Sequence, residues 1–359
     1  MKLNKKELIV FLAIALAFFI IQAKGLTNIV PGDENVYYYM AKSMTKGQFP
    51  YKDFFYAHPP LHVLILLLII KIFGVSFIAL KSATLFALLI SSFFLYKTSL
   101  ELFKNHLHDE NAQIISTLSL ILFLFSFEVM FKATFSMGIN FSLMFLMIGF
   151  YLIFTKKYFA GGIFAGFAGL TRFYTLPPIF AVFVFFMIKK FQEKNLKDFL
   201  YMATGFLITF GLMISVLAML FGHNFIDSVF KYHLLKPKLP NQRTIVYEHV
   251  LKEDWIILLA FVLSFFIKNK SKFQLFFFTV FVYLTFLLFL NVPIEFYFSI
   301  AFPFMAVIGA YSLVDIIRRI KISKFVKYFV VSCLSLLFLW NTAADVMFLE
   351  KVGFLEFSP

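Results

Sequence analysis

Cysteine and charge are what this chain has least of. Cys333 is its single cysteine, so no disulfide can form within the chain. Only 14% of residues are charged, against 61% hydrophobic, and that balance leaves no stretch polar enough to wrap a water-soluble domain. Also absent are an internal repeat of about 20–50 residues, a low-complexity tract, and the glycine-rich loops of Rossmann or Walker type. No small-residue cleavage site follows the first apolar run, Leu8 to Gln22, which is therefore read as a retained span and not as a signal peptide.

Apolar runs, separated by short polar breaks, fill most of the chain. A helix needs about 20 apolar residues to cross a bilayer. In lipid it must also bond every backbone polar group internally. The chain is thus expected to be an all-α polytopic membrane protein. Eleven runs read as spans: 8–23, 79–97, 113–130, 139–155, 158–171, 174–188, 199–221, 255–268, 273–290, 299–314 and 325–342. Gly161, Gly162 and Gly166 punctuate one of them and predict close helix packing. A further run, 61–74, is too short to cross and suits the membrane surface.

The net charge of +14 points away from nucleic acid in so apolar a chain. It fits basic loops that fix topology and a site for an anionic substrate. If 61–74 stays outside the bilayer, the N-terminal lysines, Lys97, Lys104, Lys156, Lys157, Lys189, Lys190, Lys268, Arg318 and Arg319 all fall on one side. Apart from two long loops, the other side then keeps only Lys132, Arg172 and Lys351. Cytoplasmic loops carry the excess of Lys and Arg. The N-terminus is therefore expected inside, the C-terminus outside, and segment 61–74 along the outer surface.

With this topology the residues capable of chemistry collect at the outer face: Asp33, Glu34, Lys52, Asp53, His58, Asn140, Arg172, Glu295 and Tyr297. The two long loops there are 24–78 and 222–254. Asp33 precedes a helix expected over 34–46. It reads either as an N-cap or as a base that takes a proton from an acceptor. Glu34 is a solvated neighbour or shares acceptor binding. His58 stands before Pro59-Pro60, where proline at a helix start needs no function; the imidazole is structural or contacts phosphate. Arg172 is the only arginine before Arg243. It either snorkels to headgroups or belongs to a site. In the second loop Lys231, His233, Lys236, Lys238 and Arg243 alternate with Tyr232, Leu234 and Leu235. Cations beside apolar anchors suit a lipid carrying a phosphate, or anionic lipid at large. No His and carboxylate pair has ligand spacing, so no metal site is expected, although a divalent ion is left open; no other cofactor is called for.

These residues and their order resemble the GT-C class of integral-membrane glycosyltransferases, and within it the group of protein O-mannosyltransferases and the lipid A aminoarabinose transferase. The likeness rests on Asp33-Glu34 after the first span, Tyr37, Ala41, Gly47, His58-Pro59-Pro60-Leu61 and Phe73-Gly74. It continues in AGGIFAGFAGLTR (160–172) and, more loosely, in EFYFSIAFPFMAVIGAYSL (295–313). The resemblance implies a GT-C-like bundle of about 11 transmembrane helices, with two juxtamembrane helices in the first outer loop. It implies a catalytic module over 1–190, followed by C-terminal helices over 191–359 that carry the 222–254 loop. The donor would be a sugar on polyprenyl or dolichyl phosphate, and the acceptor a glycan, lipid or protein. Asp33 would be the catalytic base. His58, Arg172, His233, Lys236, Lys238 and Arg243 would hold the donor phosphate, and Glu34, Tyr37, Asn140 and Tyr297 would meet the acceptor. Asn140 stands near a position where many such enzymes have a second acid, a departure that argues against a two-carboxylate site.

Three rivals stand beside this reading, one of them a ligase that joins lipid-linked polymers through Arg and His and not Asp. A lipid or ion transporter would place its charges near mid-membrane, often within repeats. A non-catalytic assembly subunit would share the fold without the chemistry.

Overall fold

The structure, a computed structural model, describes residues 3–28, 32–104, 109–237, 240–267, 273–319, 340–345 and 347. Among these residues the fold is all helical, with one isolated bridge between Pro50 and Phe54. Four helical runs are long and apolar enough to cross a membrane: Lys5–Leu26, Phe77–Lys104, Phe173–Gln192 and Lys197–Leu235. Shorter apolar helices add to them, including Leu61–Phe73, Ile139–Phe154, Tyr158–Thr171 and Gln274–Phe289. The expected span 325–342 and Cys333 lie almost wholly or wholly outside the described residues.

Helix α1, Lys5–Gln22, starts where Asn4 and Glu7 cap one another through reciprocal backbone bonds of 2.9 Å. Glu7 also pairs with Lys104 at the far end of α4, Phe77–Lys104. The run expected over 113–130 breaks at Ser126, giving α5, Asp109–Leu124, and a short α6, Phe127–Phe131. Helix α7, Ile139–Phe154, packs against α4 and against α8, Tyr158–Thr171. Helix α9 is Leu176–Gln192, and α10, Lys197–Phe206, crosses α8 closely. At that crossing a Cβ on Gly162 would lie 2.0 Å from the Met202 carbonyl oxygen, so only glycine fits. In lipid, where apolar surface gives helices no reason to associate, such close backbone contact supplies the packing energy.

The run from Lys197 continues well past the expected end at 221. A π-helical turn at Leu207–Gly211 leads into α11, Leu212–Ile226, which kinks at Gly222. A second π turn, Asp227–Lys231, leads into α12, Tyr232–Leu235. The kink brings the end of this run back toward the first long loop. The remaining helices are α13 (Gln242–Glu253), α14 (Trp255–Leu263), α15 (Gln274–Phe289) and α16 (Phe302–Arg319).

A second, smaller core joins the first long loop to α11. Helix α2, Asp33–Met44, buries Tyr37, Tyr38, Ala41 and Met44, whose spacing of one, three and three residues forms one face. Helix α3, Leu61–Phe73, buries Val63, Leu66, Ile69 and Ile70 against it. Both helices match the expected segments 34–46 and 61–74 to within two residues. At 13 residues α3 spans only about 20 Å, too little for the hydrocarbon layer. Phe225 and Val229 close this core from the kinked run, with the Phe225 ring set edge-on to Tyr51 at 5.0 Å.

Candidate active site

Gly32 occupies the N-cap of α2, so Asp33 is the first helical residue and not the cap. Its exposed carboxylate sits in the positive end of the helix dipole. Four residues on, Tyr37 points to the same side, and both line a cavity of about 250 Å³. His58, Arg172, His233, Lys236 and Tyr297 line it as well. Five separate segments thus bring seven of the expected site residues to one small space.

Each is fixed by neighbours. Arg172 ends α8 in extended conformation and is almost fully buried. Its guanidinium donates to the Met137 carbonyl and lies 5.1 Å from the centre of the Tyr37 ring. The next residue, Gly138, has φ of 82°, a left-handed value that favours glycine. A Cβ there would come within 2.7 Å of Arg172 Nε and 3.0 Å of the His62 ring. His58 Nε2 is 3.1 Å from the Tyr37 hydroxyl, and Tyr51 donates its hydroxyl to the His58 carbonyl. His233 Nε2 donates to the Ala57 carbonyl at 2.7 Å. Because a carbonyl only accepts, that bond assigns the proton to Nε2 and leaves Nδ1, 3.5 Å from the Tyr174 hydroxyl, as acceptor. Tyr174 and Tyr297 pack ring on ring at 4.0 Å. Burial, aided by the nearby Arg172 charge, pushes the His58 imidazole well below the usual histidine range. His58 is therefore a neutral hydrogen-bonding group, and the fixed positive charge of the cavity comes from Arg172 and Lys236.

Three other expected residues that the structure describes are not among those lining the cavity. Glu34, expected at the acceptor, is buried: Oε2 lies 2.9 Å from Lys81 Nζ, and Oε1 accepts from the Tyr38 hydroxyl and, at 3.2 Å, from Ser136 N. Its neighbouring position on the helix turns it about 100° away from Asp33, into the protein. Asn140 donates to the carbonyls of Lys132 and Ala133, at 3.1 and 3.0 Å, and so pins the 132–138 loop. Arg243, on α13, donates to the Leu290 carbonyl from two nitrogens, at 3.2 and 2.8 Å. Lys238 lies outside the described residues.

Sequence reasoning missed several residues that build the site. His62 is fully buried behind the cavity, 3.4 Å from both the Tyr56 hydroxyl and Ser136 Oγ. Tyr174 and Phe296 line the cavity. Lys81 anchors Glu34. The signal for Lys81 was present: a lysine inside an apolar span must find a partner.

The fold, taken as a whole, is similar to that of solved structures. ArnT from Cupriavidus metallidurans in the apo state superposes with a TM-score of 0.68 over 88% of this chain, at 14% identity. The chain shares the fold of ArnT. A second ArnT structure from the same organism, bound to undecaprenyl phosphate, has a TM-score of 0.68 over 98% of this chain, at 12% identity. The chain covers 60% of the length of the apo ArnT chain and 72% of the lipid-bound one. No family model and no curated protein matches the sequence.

Proposed function

We propose that this chain is an inverting membrane glycosyltransferase that moves a sugar from a polyprenyl- or dolichyl-phosphate donor to an acceptor hydroxyl. The observation that carries this reading is the convergence of one exposed carboxylate, Asp33, with Arg172, Lys236, His58 and His233 on a single cavity. The fold shared with ArnT, one of whose structures is bound to undecaprenyl phosphate, supports a lipid phosphate as donor.

In this reading Arg172 and Lys236 hold the donor phosphate, with His58 and the tyrosine hydroxyls as neutral donors around it, and His233, its one N–H given to the Ala57 carbonyl, lines the wall beside them. A guanidinium grips phosphate with two bonds, whereas an ammonium acts as a point charge. As the bond between the anomeric carbon and the phosphate oxygen breaks, the phosphate keeps the electron pair, and the fixed cations stabilise the charge it gains. The acceptor oxygen attacks from the opposite face and forms the new glycosidic bond. Asp33 takes the proton that the hydroxyl loses. The leaving phosphate needs no acid, so one carboxylate suffices and the configuration inverts. Tyr37 and Tyr297 flank the acceptor.

The distribution of Lys and Arg supports a cytoplasmic N-terminus with the cavity at the outer face of the cytoplasmic membrane. The module proposed over 1–190 supplies Asp33, His58 and Arg172. The rest of the cavity wall, at 232–236 and 294–297, comes from the following half.

The test is transfer of radiolabel from a panel of polyprenyl-phosphate sugars by the purified full chain. The expected result is label leaving at least one donor in the wild type, and leaving it at least about a hundredfold more slowly in Asp33→Asn. A protein that binds undecaprenyl phosphate yet moves no label from any donor would be a binding subunit, and the reading would fall.

A further inference from the structure

We infer that the large groove beside the candidate active site binds the acceptor, and that this acceptor is a saccharide chain. The inference rests on the glycosyl-transfer reading and adds to it the class of the second substrate.

The groove has a volume of about 960 Å³, and the site cavity about 250 Å³. The groove stands at the upper end of the range that encloses a drug-sized ligand, and the cavity falls below it. The smaller space suits the reacting groups and cannot enclose two whole substrates. Groove and cavity share Phe55, Tyr232 and Lys236 in their walls, so a chain lying in the groove reaches the cavity that holds Asp33.

The chemistry of the wall selects the occupant. The wall holds the rings of Phe54, Phe55 and Tyr232 together with the polar groups of Asp53, Asn224 and Asp227, and with Lys52, Lys231 and Lys236. The C–H face of a sugar ring packs on the negative face of an aromatic ring. Its hydroxyls meanwhile need amide or carboxylate partners. Both carboxylates are held in place by the protein itself. Asp227 is paired with Lys231 at 2.6 Å, and Asp53 accepts from the Phe49 amide at 2.8 Å. Each keeps lone pairs for a hydroxyl. A prenyl or acyl tail would bury these polar groups without replacing their hydrogen bonds with water, which is costly. A peptide adding as a strand would need an open sheet edge. The wall from Asn224 to Leu235 is helical, with its backbone bonded internally.

The experiment follows label through the reaction. Native membranes holding the full chain receive a radiolabelled undecaprenyl-phosphate sugar that the wild type turns over, and the product is fractionated. The expected product stays in the aqueous phase on solvent extraction and resists protease. Asn224 is exposed on the groove wall, so Asn224→Trp fills the groove without disturbing the core. That variant should transfer at least about tenfold less label while binding undecaprenyl phosphate as the wild type does. Label released by protease, label extracted with lipid, or full transfer by Asn224→Trp would each overturn the inference. A wild type that moves no label from any donor would instead remove the glycosyl-transfer reading, and this inference with it.

Discussion

Glu34 and Lys81, 47 positions apart, meet at 2.9 Å in an ion pair from which water is almost wholly excluded. The pair ties the first turn of α2 to α4, a helix long and apolar enough to cross a membrane. Asp33 is the residue before Glu34, so the pair also fixes the candidate base. Lys81→Met leaves the Glu34 carboxylate buried without a counter-charge and should cost about 3–5 kcal/mol. The double variant Glu34→Gln, Lys81→Met removes both charges and should recover much of that loss. Unfolding midpoints in detergent measure both. A single variant as stable as the wild type would show that the pair holds nothing together.

Asp33→Asn should lower transfer by about 10²–10⁴-fold, the usual cost of losing a general base. The side chain is exposed and does not cap α2, so unfolding midpoint and undecaprenyl phosphate binding should stay at wild-type values. Turnover in the detergent assay reads the first quantity and equilibrium binding the second. Wild-type turnover in Asp33→Asn would remove it as the base.

Arg172→Ala should weaken undecaprenyl phosphate binding by about 1.5–3 kcal/mol, the worth of a charged hydrogen bond, and Arg172→Lys should restore part of it. Lys236→Ala should cost less, because a lysine contributes a point charge. Gly138→Ala tests the same site from behind. Its φ of 82° and the 2.7 Å approach to Arg172 Nε predict that the added methyl displaces the guanidinium and weakens lipid binding without touching the lipid. Lipid affinity unchanged in both Arg172→Ala and Gly138→Ala would put the phosphate elsewhere.

Two histidines give opposite pH responses. The unfolded chain protonates His58 near pH 6.5, but the buried, neutral imidazole of the folded state resists it. The unfolded state then binds more protons, so stability falls as pH drops below about 6.5 and is level above. His249 is raised by its hydrogen bond to Glu128, 3.2 Å away. Its contribution is full at low pH and fades as pH rises through the raised pKa. The ring is about a third exposed, so solvent screens the effect. His58→Gln should flatten the acid limb of the unfolding midpoint below about pH 6.5, and His249→Gln should remove a decline that sets in above about pH 6.5. An unchanged acid limb in His58→Gln would contradict the neutral imidazole.

The helices were legible because apolar length and punctuation are local properties of a sequence. The segments 158–171 and 61–74 show this, matching α8 fully and α3 to within one residue. The residues of the cavity were partly legible. Arg172 stood out as an isolated cation, and Asp33 as an acid beside a helix start. Glu34 misled because its partner, Lys81, is distant in sequence and hidden in a run read only for its hydropathy. Arg243 misled for a related reason: its acceptor is a backbone carbonyl, Leu290, which no side-chain pattern reports. His62 was passed over inside an apolar segment, although its nearest polar partners, Tyr56 and Ser136, come from two different loops.

The π turn at Asp227–Lys231 has a consequence for how the chain tolerates changes in length. A π turn accommodates one residue more than the α-helical turn it interrupts. Loss of one residue within 227–231 can be absorbed by closing the turn to α geometry. Tyr232, His233 and Lys236 then keep their rotational phase toward the cavity. The same deletion in the regular stretch just before Gly222 would swing everything after it by about 100° per residue. The segment acts as a reserve of slack placed directly ahead of the residues whose aim matters most.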